Sequence, residues 1–294
     1  MRVKNEDEDI EMVVYYDTDY PSAWIANKSE RIALFLQNKA IKIKTAEELK
    51  EFMSDSIEKE NGYKKLVVFS QDVIPDTIAE SYTSTTTLRE FLDQGGSVLW
   101  MGDIPLFNIG KKGEKKLNDD AWKNGAPVTM LGVVPIFAPT VKRGVNITYE
   151  GKRLGLKHKW SGIRPILPDT KIKSLAEAEV IYSVPYLSGI LSKGTVDRLK
   201  KPTKREGIEI EAGIPPLKMS YKTEVNKTPE MEVNRRFLHE VFPNAWLKNY
   251  NDNYPFSGFY RIWDFLPINF PDWMLEELYT VIKSIGHRFK RVIK

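Results

Sequence analysis

FLDQGGSVLWMGDIPLF, residues 91–107, decides the fold. Phe91 and Leu92 close an apolar helical face that starts at Leu88, with spacings of three and four residues. Gly95-Gly96 then stops the helix, one glycine taking the left-handed cap conformation. Residues 97–101 follow as a short, largely apolar strand of the kind that is covered on both faces. Gly102-Asp103 turns the chain and Pro105 redirects it. A helix, a strand and a loop in this order are the building step of a parallel α/β sheet. Loops at the carboxyl ends of such strands are where open α/β sheets bind ligands.

The same alternation extends in both directions. Residues 12–16 (MVVYY), 41–44, 66–70 (LVVFS) and 259–263 (FYRIW) read as further strands. Between them, Pro21 and Ser22 open a helix, and Thr45 with Glu48 has the spacing of a capping box. Residues 83–87 supply N-cap candidates for the helix that ends at Gly95. Asp272 starts a last helix with Met274, Leu275, Leu278, Ile282 and Ile285 on one face. The stretch 121–131 reads as a short helix broken by Gly125 and Pro127, residues 133–137 as a strand, and 144–168 as mixed strand and turn. Residues 175–176 and 180–182 read as strand ends, and 235–241 as helix. The expected architecture is therefore α/β with a parallel, doubly wound sheet in one main domain. Residues 10–190 make the core, 191–235 a Lys/Pro-rich insertion or hairpin, and 236–294 the strand and helix that complete the core.

Composition narrows the chemistry. The 294 residues include no cysteine, which excludes disulfides, thiolate metal sites and a cysteine nucleophile. A charged fraction of 29% without cysteine fits an intracellular, thermophilic setting. The net charge is +4, with an acidic lead-in at Glu6–Glu11 and a basic end in Arg288, Lys290, Arg291 and Lys294. No apolar run approaches the roughly 18 residues of a membrane span, and the acidic start does not resemble a signal peptide. The expectation is a cytoplasmic chain with no membrane contact.

Few motifs carry chemistry. Asp17, Asp72 and Asp103 fall at the ends of three expected strands, with Gln71 and Gly102 beside them. Converging carboxylates would bind a cation, orient sugar hydroxyls or serve as acid and base, whereas dispersed ones cap loops and helices. The spacing of His158, His239 and His287 matches no metal pattern, and His239 lies in the stretch read as helical. Phosphate loops of the Gly-x-Gly-x-x-Gly or Walker type and a Gly-x-Ser-x-Gly elbow are absent, so no metal and no cofactor is expected. Arg198, Lys200, Lys201, Lys204 and Arg205 place five cations in eight residues, suited to a phosphate backbone or to a solvated loop. Trp160-Ser-Gly-Ile-Arg164-Pro165 reads as a Trp-packed turn or as a pocket wall with an arginine donor.

Four stretches, VVYYDTDYP (13–21), LVVFSQD (66–72), FLDQGGSVLWMGD (91–103) and AWLKNYNDNYPFSGFYRIWD (245–264), resemble the class I glutamine amidotransferase-like superfamily. The closer likeness is to its non-catalytic branch. The resemblance implies a flavodoxin-like sheet, and it puts Gly102 and Asp103 at the elbow where active members carry their cysteine. With no cysteine and no His–Glu pair to complete a triad, no catalytic residue is expected. What remains implied is an interaction or assembly subunit that binds a protein partner, a second copy of itself or a small ligand through Asp17, Gln71, Asp72, Gly102 and Asp103. Two alternatives stand beside it. One is a nucleic-acid-associated accessory subunit of an archaeal-type defence or processing complex, and the other a carbohydrate-active enzyme using the strand-end carboxylates.

Overall fold

The computed structural model describes residues 10–114, 117, 120–136, 141–183, 237–264, 266–267 and 270–290. The chain begins β1 (Glu11–Tyr15), α1 (Ala26–Asn38), β2 (Lys42–Lys44), α2 (Ala46–Glu58) and β3 (Lys65–Phe69). After a two-residue strand, β4 (Ile74–Pro75), come α3 (Thr87–Asp93) and β5 (Ser97–Met101). The short elements β6 (Ile109–Gly110), α4 (Asp120–Lys123) and α5 (Ala126–Leu131) lead to β7 (Val141–Ile147) and α6 (Tyr149–Leu154). The long strands β8 (Ile172–Ser183) and β9 (Phe237–Lys248), then β10 (Gly258–Ile262) and α7 (Asp272–Lys290), complete the order.

Eight of the strands form one sheet in the order β2-β1-β3-β5-β10-β9-β8-β7. From β2 to β10 every neighbour is parallel. From β10 to β7 every neighbour is antiparallel. The sheet is thus mixed, which corrects the expectation of a purely parallel one. One physical reason lies in a connection: β9 and β10 are joined by residues 249–257 with no helix between them, and a link that short can only join antiparallel neighbours.

Alternation along each strand divides the core in two. Val14, Val68, Leu99, Met101, Tyr260 and Ile262 face α1, α6 and α7 on one side. Val13, Tyr15, Val67, Phe69, Val98, Trp100 and Phe259 face α2, α3 and α5 on the other. Both sets are buried, which is why these strands read as continuous apolar runs. The expected helix signals act as read. Thr45 and Glu48 form the capping box of α2, Thr86 caps α3, and Gly95 has φ +82°. The five apolar residues singled out on α7 are all buried.

Further expectations are corrected or refined. Residues 237–241 are strand rather than helix, because β9 pairs with β8 from Ser183↔Phe237 to Ile172↔Lys248. Partner strands override local propensity in this way. His239 therefore lies on a strand, opposite Ile181. The strand ends at 175–176 and 180–182 belong to one twelve-residue strand, β8. At 133–137 no named strand forms within the described residues, only a bridge between Pro135 and Ile166. Residues 149–154, read as strand and turn, are helical behind a Thr148 cap. The Lys/Pro-rich segment at 191–235 and its five cations lie outside the described residues. Among the described residues, no helix is long and apolar enough to cross a membrane.

Candidate functional site at the strand ends

Four of the parallel strands deliver a carboxylate or amide to their carboxyl ends: Asp17 after β1, Gln71 and Asp72 after β3, Asp103 after β5 and Asp264 after β10. Their side chains go to different work. Asp17 Oδ2 accepts the Ala46 N–H at 2.9 Å, at the start of α2, and its Oδ1 accepts the Asp19 N–H at 2.9 Å. Gln71 clasps the β1–α1 loop: its Oε1 accepts the Asp17 N–H at 2.7 Å, and its Nε2 donates to the Asp17 carbonyl and Ser22 Oγ. Asp72 accepts the N–H groups of Ala23, Trp24 and Ile25 at 2.8, 2.7 and 3.3 Å, in the turn that opens α1. Burial pushes the Asp72 carboxyl above its usual range, and these backbone donors oppose the shift.

The elbow is formed by Met101, Gly102 and Asp103. Gly102 has φ +115°, and a Cβ there would meet Asp72 Cβ at 3.2 Å and Ile25 Cγ2 at 3.7 Å. The elbow of β5 therefore lies directly against the end of β3, and only glycine fits. Gly102 N–H donates to the Trp263 carbonyl at 3.0 Å, and Trp263 itself has φ +44°. Two adjacent strands thus turn sharply and together. Positive φ is unusual for a large aromatic residue and is held here by complete burial.

Asp103 faces away from the Asp17–Asp72 group in its bonding. Its Oδ1 accepts from Ile104 N–H at 2.7 Å and from Arg164 Nε at 2.8 Å. Arg164 comes from a strap, residues 157–164, that crosses the ends of β5 and β10. Along this strap, Ser161 Oγ and Ile163 N–H donate to the Asp264 carboxylate. Trp160 Nε1 donates to Asn244 Oδ1. At its near end, Lys157 N–H and His158 Nδ1 meet the two oxygens of Glu277 on α7. Under the strap lies Arg261, only 1% exposed. Its guanidinium donates to the carbonyls of Gly102, Arg164 and Asn244. Burial pulls the Arg261 pKa down, and Asp264 and Asp103 pull it back up. The buried charges thus sit as two carboxylates interleaved with two guanidiniums, Asp103 and Asp264 with Arg164 and Arg261.

The structure brings Asp17, Gln71, Asp72 and Gly102 into one contiguous patch and turns Asp103 toward a second one. It shows all three strand-end aspartates as acceptors for backbone N–H groups, the capping role open to them from the sequence. Reading the sequence missed Asp264, Asn244 and Glu277 as members of this face. One signal was present: FYRIW places an arginine inside an otherwise apolar strand, and a cation there requires buried partners. The His158–Glu277 pair, 119 residues apart in the chain, had no such signal. It stands on α7 and the strap, where the His158 ring lies over Trp273 with centroids 3.8 Å apart. Among the described residues, no group of three or more metal-ligating side chains forms. Arg288 of the basic end is engaged with Glu150.

No solved structure matches the chain. An uncharacterized protein, MJECL34, of the archaeon Methanocaldococcus jannaschii is 32% identical over 158 residues, 52% of this chain and 51% of that protein. The chain thus spans about half the length of the curated relative it matches. The aligned family covers residues 10–179, from β1 into β8, and so includes the elbow, the strap and Asp17, Gln71, Asp72 and Asp103, but not β9, β10 or α7. The chain belongs to the MJECL34 family.

Proposed function

We propose that this chain is a non-catalytic relative of the class I glutamine amidotransferase-like proteins, an interaction or assembly subunit whose strand-end face receives a protein partner or small ligand. One observation carries the reading. At the elbow after β5, where that superfamily's active members hold a thiolate, this cysteine-free chain has Asp103 engaged by Arg164 and by its own loop. A carboxylate held in an ion pair with an arginine is a poor substitute for that thiolate, so nucleophilic attack is left without its usual agent at this place. The order β2-β1-β3-β5-β10, with helices on both faces, is in keeping with a flavodoxin-like sheet. The antiparallel extension through β9, β8 and β7 is then an addition at one edge.

The rim of the face has the composition of a contact surface. Trp24, at the entrance to α1, is 57% exposed, and Trp273, at the start of α7, is 42% exposed. Large aromatics that stay in solvent beside a polar floor are typical of interfaces. Two measurements test the reading. Purified protein incubated with glutamine or peptides should show no turnover. Hydrolysis abolished by Asp103→Ala would overturn the assignment. A photo-crosslinking residue at Trp24 should capture a partner in the native host, while one at Glu60 should not. Equal capture at both positions would remove the strand-end face as the docking site.

A further inference from the structure

Arg164 satisfies the elbow in two ways at once. Its Nε donates to Asp103 Oδ1 at 2.8 Å, and its own carbonyl accepts from Arg261 Nη1 at 3.1 Å. Beside it, two buried donors find no protein acceptor: Arg261 Nε and Asn244 Nδ2, on residues 1% and 0% exposed. The floor beneath the strap therefore has a double demand. Asp103 calls for a cation with N–H donors, and the Arg261–Asn244 side calls for an acceptor. Arg164 meets the first demand, while Arg261 Nε and Asn244 Nδ2 stay without an acceptor even with Arg164 in place.

The strap is held between two apolar anchors by contacts that are mostly polar. Its apolar anchors, Leu156 and Ile166, flank it and are buried. Between them, Lys157, His158, Lys159 and Ser161 are exposed and the attachments at Glu277, Asn244, Asp264 and Asp103 are polar, while Trp160 also packs against the core. Because the acceptors Asp103, Asp264 and Glu277 are buried, the strap's donors can be exchanged at little net cost only for a ligand that satisfies them again.

We propose that the Asp103 elbow is a binding site for a ligand of arginine-like chemistry, a guanidinium or ammonium head joined to a carbonyl or carboxylate, and that Arg164 occupies it in the free chain. This rests on the reading of the strand-end face as a binding surface. The strap is then an internal competitor. Free arginine and an exposed arginine of a partner chain share the required chemistry.

Chemical rescue tests it. Arg164→Ala should lower the Tm by roughly 5–10 °C, because a mostly buried carboxylate loses its cation. L-arginine on the order of tens of millimolar should recover at least half of that loss by binding the folded state. Equal concentrations of L-citrulline, the neutral isostere, or of sodium chloride should not. Recovery by citrulline or salt equal to that by arginine would overturn the proposal. In the unaltered chain, L-arginine should speed amide exchange at Lys157 and Ile163 while leaving β5 unchanged. Strap amides that exchange no faster than those of β5, with or without arginine, would sink the idea even if Arg164→Ala does not fold. A short peptide with a central arginine that binds where free arginine does not would identify a partner chain as the source. Failure of both arms would leave the crosslinking result at Trp24 untouched, so the two readings fall separately.

Discussion

Asp72 and Asp103 end neighbouring parallel strands, yet they are held by opposite means. Asp72 is gripped by three consecutive backbone N–H groups of the turn that opens α1. Asp103 is gripped by one N–H of its own loop and by a side chain, Arg164, delivered 61 residues later by a strap. The first arrangement is built into the β1–α1 crossover and cannot be released without unwinding the start of a helix. The second depends on polar contacts that a competitor can replace. One end of the sheet is therefore a fixed joint and the adjacent end a removable one, although the same residue type stands at both.

The largest effect that would break this contrast is expected at the fixed joint. Asp72→Ala should destabilise the fold by roughly 3 kcal/mol, because it strands buried donors as well as losing a cap. Chemical denaturation measures it, and a loss below about 1 kcal/mol would mean that water replaces the carboxylate freely. Gly102→Ala should cost roughly 2 kcal/mol, since it combines a positive φ with a close approach to Asp72 Cβ. It should disturb both joints, whereas Arg164→Ala should loosen only the strap. Exchange mapping of the two variants would show whether the joints are independent. The smallest effect concerns pH. The folded-state pKa of Asp72 is raised by burial, so the folded chain holds this proton more tightly than the unfolded one. Asp72 then contributes stability that grows as pH falls from above the folded pKa toward the ordinary value near 3.9. Asp72→Asn should flatten the stability profile in that window. An unchanged slope would show that the three backbone donors cancel the effect of burial.

The two halves of the sheet also differ in how they could be foreseen. Residues 97–101 were bounded by a glycine cap and a turn, and β5 occupies the same five positions. The strands β1, β3 and β10 lie within one residue of the readings made from the sequence. Each is an apolar run closed by turn residues, a local signal. The stretch 235–241 failed for the opposite reason. Its apolar spacing suits a helix taken alone, and only β8, more than fifty residues earlier in the chain, makes it a strand. Pro243 and Asn244 look like breakers, yet they are tolerated where the β8–β9 register shifts between Ala176 and Glu177. At the site, Asp17, Gln71, Asp72, Gly102 and Asp103 were legible as strand-end residues, because a strand's end is a local fact. Which of them converge was not.

The sequence by itself determined the parallel half of the sheet, the caps of α2 and α3, the buried face of α7 and the exclusion of thiolate chemistry. Each of these follows from interactions within a few residues or from composition alone. Only the tertiary structure decided that the sheet turns antiparallel beyond β10, that Asp72 joins α1, and that Arg164 covers Asp103. Those outcomes depend on partners 48 to 61 residues away or more, and no spacing along the chain records which distant donor reaches a buried carboxylate. The folded state selects it by excluding water, because a buried charge must take whichever partner the packing brings within reach.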